Sequence, residues 1–164
     1  MIDEELRAAA RRVLDACRVR NLKLAVAESC TGGLVAAALT EIPGSSDVLD
    51  RGFVTYSNAA KQAMLGVPAS MLETKGAVSK ETAEAMAAGA LERSRADVSA
   101  AVTGVAGPGG GTAAKPVGLV HFAAVRRDDR HLHRERRFGD PGRAEIRRLS
   151  VLEALAMLEE LARP

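Results

Sequence analysis

The chain opens on an amphipathic pattern. Leu6, Ala10, Val13, Leu14 and Cys17 recur at helical intervals with charged residues between them, which predicts a helix over residues 3 to 20 with one face in a core. The period then changes. Lys23 to Glu28 encloses a short apolar run that predicts a buried strand, and Thr31 to Thr40 returns to a helix-compatible pattern. Ile42-Pro43-Gly44-Ser45-Ser46 makes a turn. Val48 to Ser57 carries the strand formers Phe53, Val54, Thr55 and Tyr56; Asn58 to Leu65 then reads as a helix, stopped by Gly66-Val67-Pro68.

Ser79 predicts the cap of a further helix in which Ala83, Met86, Ala87, Ala90 and Leu91 share one face. Val98 to Thr103 is a short buried strand, followed by a glycine-rich loop from Gly104 to Pro116. Val117 to Val125 and Leu132 to Phe138 form two more strands, joined as a hairpin across the charged stretch Arg126 to Arg130. Asp140-Pro141 supplies a cap and a proline at the first helical position, opening a last helix to about Ala162 with Ile146, Leu149, Leu152, Leu155 and Ala156 inward. Alternation early and adjacent strands late predict a single-domain α/β protein, a three-layer α/β/α sandwich around a mixed sheet. No internal repeat or linker interrupts the pattern.

Composition narrows the function classes. At 164 residues, 47% hydrophobic and 27% charged, the chain can bury one sizeable core and is no disordered segment. Its 23 basic and 21 acidic side chains leave a net charge of +2, too balanced for a nucleic-acid partner held by a bulk field. Phe53, Tyr56, Phe122 and Phe138 are its only aromatics, too few for a base-stacking platform. Residues 1 to 20 carry interspersed charges unlike a signal peptide, and no apolar run is long enough for a membrane span. Two cysteines, Cys17 and Cys30, make no disulfide framework, and Cys17 falls on the apolar face of the first helix. The sequence therefore predicts a soluble cytoplasmic protein with neither a membrane nor a nucleic acid as partner.

Three segments could carry chemistry. Ala27-Glu28-Ser29-Cys30-Thr31-Gly32-Gly33 squeezes a hydroxyl, a thiol and two glycines into a strand-to-helix turn, where a nucleophile or an anion site is easily built. The same Ser and Thr serve equally as helix caps. In Tyr56-Ser57-Asn58-Ala59-Ala60-Lys61, helical spacing sets Asn58 and Lys61 side by side. An Asn cap and a solvated lysine would explain both, whereas a catalytic Lys61 has to be desolvated. Thr103 to Thr112 holds five glycines in ten residues, with neither Walker A nor dinucleotide spacing. Its amides could cradle a phosphate or an oxyanion, or the loop could simply be flexible. His131 and His133 share a strand face among Arg130, Arg134, Arg136 and Arg137, which reads as a solvated face rather than a metal pair. Neither they nor His121 stands in a Ser-His-Asp order, and Cys30 has no histidine partner. A hydrolase built here would use lysine as its base, with no metal and no cofactor.

Taken together, these segments closely resemble the CinA C-terminal domain family. The resemblance rests on Ala27 to Gly33, Tyr56-Ser57-Asn58 with Lys61, Leu65-Gly66-Val67, Gly76-Ala77-Val78-Ser79, Thr103 to Gly110, Lys115-Pro116-Val117-Gly118, and Phe138, Arg143, Ile146 and Arg147. It implies an amidohydrolase domain over residues 1 to 164 that converts nicotinamide mononucleotide (NMN) to nicotinate mononucleotide and ammonia, as stand-alone members of the family do. Ser29 would be the nucleophile, Lys61 the general base and Tyr56 a hydrogen-bonding partner or proton relay within the dyad. Amides around Thr31, Gly32 and Gly33 would hold the oxyanion. Asn58, Thr103, Gly104, Ala106, Gly107, Gly109 and Gly110 would surround the substrate, and Arg143 would meet its phosphate. The stretch from Phe138 to Arg143 is about one residue longer than the family's usual Phe-x-Gly-Asp-Arg. The resemblance further implies a homo-oligomer, dimer or larger, and none of the chemistry of the large N-terminal domain that many members carry. A non-catalytic nucleotide-binding module and an amidohydrolase for a related amide are the alternatives.

Overall fold

Helix α1 (Glu4–Val19) begins where the Asp3 carboxylate accepts from the Leu6 amide at 2.9 Å, and Leu6, Ala9, Ala10, Val13, Leu14 and Cys17 are buried along one face. The computed structural model describes residues 2–164. After α1 come β1 (Leu24–Glu28), α2 (Leu34–Thr40), one tight helical turn at Ser45–Asp47, β2 (Leu49–Val54), α3 (Asn58–Leu65), α4 (Ala69–Thr74) and α5 (Lys80–Glu92). Then follow β3 (Val98–Gly104), β4 (Leu119–Arg126), β5 (His131–Arg137) and α6 (Arg143–Ala162).

The sheet runs β2-β1-β3-β4-β5, with β1 parallel to β2 and β3, and β4 antiparallel to β3 and β5. It is the predicted mixed sheet. Alternation along the strands splits the core in two. Leu24, Val26, Val98, Ala100, Val102 and Phe122 face α1, α2 and α6. Ala27, Ala101, Ala123 and Val125 face α5, with Leu65 of α3 and Leu72 of α4. Every residue of β1 is buried, the signature of a strand covered on both faces.

Topology gathers the site. β1, β2, β3 and β5 all end at one edge of the sheet, and β4 begins there. Ser29, Thr55, Gly104, the loop before β4 and the start of α6 therefore meet at that edge, which is where open α/β sheets bind their ligands.

Four local expectations are revised. Helix α4 follows Pro68 directly, so a stretch read only as a stop is a stop and a restart. Helix α2 starts at Leu34 rather than Thr31, because Gly32 and Gly33 have positive φ and complete the turn first. Helix α6 starts at Arg143 behind Gly142 (φ 96), while the Asp140 carboxylate accepts from the Gly142 amide at 3.3 Å, so Asp140-Pro141 belongs to the turn before the helix. The inward stripe of α6 runs through Ile146, Ser150, Val151, Ala154, Leu155, Met157, Leu158 and Leu161, and Ala156 is exposed.

Helices α3 and α5 touch backbone to backbone where Gly89 faces Leu65. A Cβ there would lie 2.1 Å from the Leu65 carbonyl oxygen, so only glycine permits the contact. Gly89→Ala gains about 1 kcal/mol of helix propensity yet forces α3 outward. Overpacking of this kind costs about 1–3 kcal/mol, and urea unfolding should show a net loss of stability; a more stable variant would contradict this close approach.

Candidate active site

A helix N-terminus leaves its first amides without intrahelical partners. In α2 they are met by Glu28, the last residue of β1. Its Oε2 accepts from the amides of Gly33 (3.1 Å) and Val35 (3.0 Å), and its Oε1 from Ala36 (2.9 Å). The side chain is 1% exposed. Neither Ser29 nor Thr31 caps the helix, so the simple cap reading of this segment gives way. Ser29 is released for other work. The Ser29 amide donates to Val102 O and the Gly32 amide to Ser29 O, both at 3.0 Å. The amides of Cys30 and Thr31 are left without an oxygen acceptor among the described residues. The carbonyls of the same two residues accept from Arg147 of α6, Cys30 O from Nε at 3.1 Å and Thr31 O from Nη2 at 3.0 Å.

Lys61 lies one turn into α3. Ser57, not Asn58, caps that helix by accepting from the Ala60 amide at 3.0 Å. This start turns Lys61 toward the sheet, where it is 1% exposed. Its Nζ donates to Thr55 O at 2.9 Å and meets Ser29 Oγ at 3.0 Å. Burial holds the Lys61 amine below the ordinary lysine value of 10.5, and no carboxylate among the described residues opposes that shift. Burial also pushes the neighbouring Cys30 thiol up to about 12, so Cys30 stays a thiol at neutral pH and Ser29 is the nucleophile candidate beside the amine.

A pocket of about 310 Å³ opens over Ser29 and Lys61. Tyr56, Asn58, Thr103, Gly104, Ala106, Gly107, Gly109, Gly110 and Arg143 line it, as do Cys30, Ala77, Val78 and Val105. Thr31, Gly32 and Gly33 do not. The Gly32 and Gly33 amides are already bonded to Ser29 O and Glu28, and the Thr31 side chain is buried with its hydroxyl unpartnered among the described residues. Of the three amides expected at an oxyanion, only that of Thr31 has no acceptor of its own, but Thr31 is fully buried off the pocket; the amide without an oxygen acceptor on a pocket-lining residue is that of Cys30.

Tyr56 is also corrected. It is 61% exposed, and its hydroxyl accepts from Arg143 Nη2 at 2.8 Å rather than from the Ser29–Lys61 pair. Arg143 Nη1 donates to Gly107 O at 2.8 Å. The extra residue before Arg143 is absorbed by a turn through Gly139 (φ 71) and Gly142 (φ 96), which brings Arg143 to the pocket rim as the first residue of α6. Thr103 Oγ1 donates to Ala77 O at 2.7 Å and Lys115 Nζ to Lys75 O at 2.5 Å, anchoring both ends of the glycine-rich loop to the segment before α5.

Away from the pocket, His133 is half-buried against His121, with Nε2 and Nδ1 3.1 Å apart and the rings stacked, so only His131 has the solvated character expected of both. Among the described residues no three or more His, Cys, Asp or Glu side chains gather as a metal site. Sequence reasoning gave no role to Glu28, to the Thr55 carbonyl or to Arg147, although Glu28 and Arg147 stand in the motifs that carry the resemblance. Glu28 did leave a signal: an acidic residue ends a buried strand, and no capping side chain directly precedes Leu34.

Comparison with known proteins gives the family and the fold. The model of the CinA C-terminal domain matches residues 6–162. A CinA-like protein of Synechococcus sp. (strain RCC307) is 57% identical over 147 residues, covering 89% of this chain and 35% of its own length. A putative competence-damage inducible protein of Caldicellulosiruptor bescii is 48% identical over 86% of this chain and 34% of its own. The chain thus spans about a third of the length of these relatives. Among solved structures, the competence/damage inducible protein CihA from Agrobacterium tumefaciens superposes with a TM-score of 0.98 at 55% identity, covering 99% of both chains. No helix among the described residues is long and apolar enough to cross a membrane.

Because Glu28 satisfies three amides with no access to water, Glu28→Gln sets an NH₂ group against a backbone N–H. We expect a loss of about 1–3 kcal/mol in urea unfolding, well above the effect of Glu41→Gln at the surface. Equal effects would show that the buried cap is not what holds α2.

Proposed function

This chain belongs to the CinA C-terminal domain family, and from that premise we propose that it hydrolyses the carboxamide of NMN to nicotinate mononucleotide and ammonia with a Ser29–Lys61 dyad. The observation that carries the reading is the contact of a fully buried, carboxylate-free lysine amine with a serine hydroxyl at 3.0 Å. A serine hydroxyl is a weak nucleophile until a neighbouring base takes its proton. A lysine near its free value of about 10.4 would be almost wholly protonated at neutral pH. Burial lowers that value, and so makes Lys61 a usable base.

In the proposed reaction Lys61 Nζ takes the Ser29 proton as Oγ attacks the carboxamide carbon. The carbonyl electrons move onto oxygen, which accepts from the amide of Cys30 at the pocket wall; one such donor is typically worth about 2.7–4 kcal/mol. Lys61 returns the proton to the amide nitrogen, the C–N bond breaks, and ammonia leaves. The same amine then takes a proton from water as the water oxygen attacks the Ser29 ester, and returns that proton to Ser29 Oγ as the ester bond breaks and nicotinate mononucleotide leaves. Arg143, fixed by Tyr56 and Gly107 O, keeps further N–H groups for the phosphate, with the Gly109 and Gly110 segment beside it.

Ammonia release from NMN, measured in EDTA, tests the reading. The wild type should turn over, and Ser29→Ala should lose about 10³-fold or more while still binding NMN by calorimetry. Binding without release by the wild type would instead identify a nucleotide-binding module. Absence of both would remove NMN as the substrate.

Lys61 also sets the pH dependence. The base works unprotonated, so kcat/KM should rise with pH through the lowered Lys61 value and level off before 10.5. A limb at the ordinary lysine value would overturn the role. Stability follows the same group with a definite sign. A folded-state value below the unfolded one means that the unfolded chain binds the proton more tightly, so the lysine costs stability increasingly as pH falls from 10.5 through its folded value. Lys61→Met should abolish turnover yet raise stability near neutral pH by about 1 kcal/mol, a gain that disappears above pH 10.5 in denaturant titrations.

A further inference from the structure

Several elements meet at the pocket over Ser29, and among the described residues none of them brings an acid to its wall. From the Ser29 turn comes the Cys30 thiol, which burial keeps neutral. Tyr56 enters from the segment after β2, Lys61 from α3 and Arg143 from α6, while the segment before α5 and the glycine-rich loop bring no ionisable side chain. Glu28 is next to Ser29 in the chain, but it does not line the pocket, and both its oxygens are taken by amides of α2. The side chains here that can carry charge near neutral pH are therefore Lys61 and Arg143, and each does so as a cation.

NMN brings a third positive charge. Its carboxamide is attached to a pyridinium ring, whose nitrogen is quaternary and stays charged at every pH. A bound cation is ordinarily met by a carboxylate or by the face of an aromatic ring. Tyr56 is the one aromatic residue in the wall, and it is exposed at the rim with its hydroxyl on Arg143. Connectivity decides how near the ring comes to the amine. Attack needs Ser29 Oγ within about 3–3.5 Å of the carboxamide carbon, and Oγ lies 3.0 Å from Lys61 Nζ. The ring is bonded to that carbon, so its centre comes within about 7 Å of the amine. At that range, and at an effective dielectric of about 20, two like charges shift a protonation equilibrium by at least about tenfold.

We propose, with NMN hydrolysis as the premise, that the substrate's own ring completes the base: its positive charge drives the proton off Lys61, so the site selects carboxamides carried on a cationic ring. An uncharged amide in the same place leaves Lys61 with its proton and Ser29 without a base. A carboxylate in the wall would cancel the effect, because it would neutralise ring and amine alike. The proton goes to solvent on binding, and the amine is then free to take the Ser29 proton. The linkage has a definite sign. A like charge lowers the amine's affinity for its proton, so the unprotonated protein binds NMN more tightly than the protonated one. Affinity rises with pH between the value of the amine in the complex and its value in the free protein, and is level above that.

Calorimetry on Ser29→Ala, which cannot turn over, tests this by comparing NMN with its reduced form. The dihydropyridine keeps the carboxamide, ribose and phosphate and has lost the charge of the ring. Between pH 7 and the ordinary lysine value of 10.5, NMN affinity should rise at least about tenfold. Proton release should appear as a binding heat that depends on the ionisation enthalpy of the buffer. The reduced form should change less than about twofold over the same range. In Ser29→Ala combined with Lys61→Met, the rise for NMN should vanish. An equal rise for both forms, no rise for NMN, or a rise that persists without Lys61 would each overturn the proposal. If neither form binds, NMN fails as the substrate and this inference fails with it. If only the reduced form does not bind, the rise for NMN and its loss in the combined variant decide.

Discussion

Everything at the reactive edge of this protein depends on where the first amides of α2 find their acceptor. The usual solution places a hydroxyl or carboxylate immediately before the helix, where it is consumed by the cap. Here the acceptor is Glu28, one residue before Ser29 and still on the strand. The carboxylate reaches past the turn, so strand end and helix start are joined through a side chain, and the five residues between them are free of capping duty. Ser29 can then face the Lys61 amine, and the amide of Cys30 at the pocket wall is left without an oxygen acceptor among the described residues. Had Ser29 or Thr31 been the cap, the same sequence would make a sound helix and no site.

The second constraint is the opposite of a stabilising one. A lysine amine taken out of water is useful as a base because its charged form is penalised there, and the same penalty weakens the fold. The surroundings answer with packing rather than with a counter-charge. Helix α5 is rich in alanine, and its Gly89 lets α3 approach until the Leu65 carbonyl occupies the space of a missing Cβ. A carboxylate beside Lys61 would have been the simpler way to stabilise the amine, but it would have kept the proton on. Close packing holds the lysine in place without deciding its charge.

Much of this was legible in the chain. The period changes at Lys23 and near Thr31, the cap at Ser79 and the buried runs of β1 and β3 give the alternation, and the alternation gives the sheet. Lys61 and Ser29 could be named as a candidate pair, but nothing in the local pattern separates a buried lysine from a solvated one: α3 is eight residues long, and its burial is settled by α5 and the sheet. Glu28 and Arg147 escaped for a related reason. Each acts on backbone groups across a turn or from a distant helix, and side-chain periodicity carries no information about backbone partners. Tyr56 was drawn to the wrong neighbour because Arg143, whose guanidinium it meets, lies 87 residues away.

These placements divide the pocket into two electrically different halves. Around Ser29 and Lys61 the groups are buried and no carboxylate pairs with the amine; at the rim, Arg143 and Tyr56 are exposed and share a hydrogen bond. For a substrate that carries both a neutral carboxamide and a phosphate, the division has a purpose. A phosphate dianion close to Lys61 would favour its protonated form and so disable the base. Held at the rim by Arg143, in water that screens it, the phosphate can contribute binding without that effect. The one-residue extension before α6 matters for the same reason. By letting Gly139 and Gly142 turn the chain, it starts α6 with Arg143 at the rim, and α6 then carries Arg147 one turn later to the back of the Ser29 turn. One helix therefore serves both halves: its first residue faces the wet rim, and the residue one turn later steadies the dry centre.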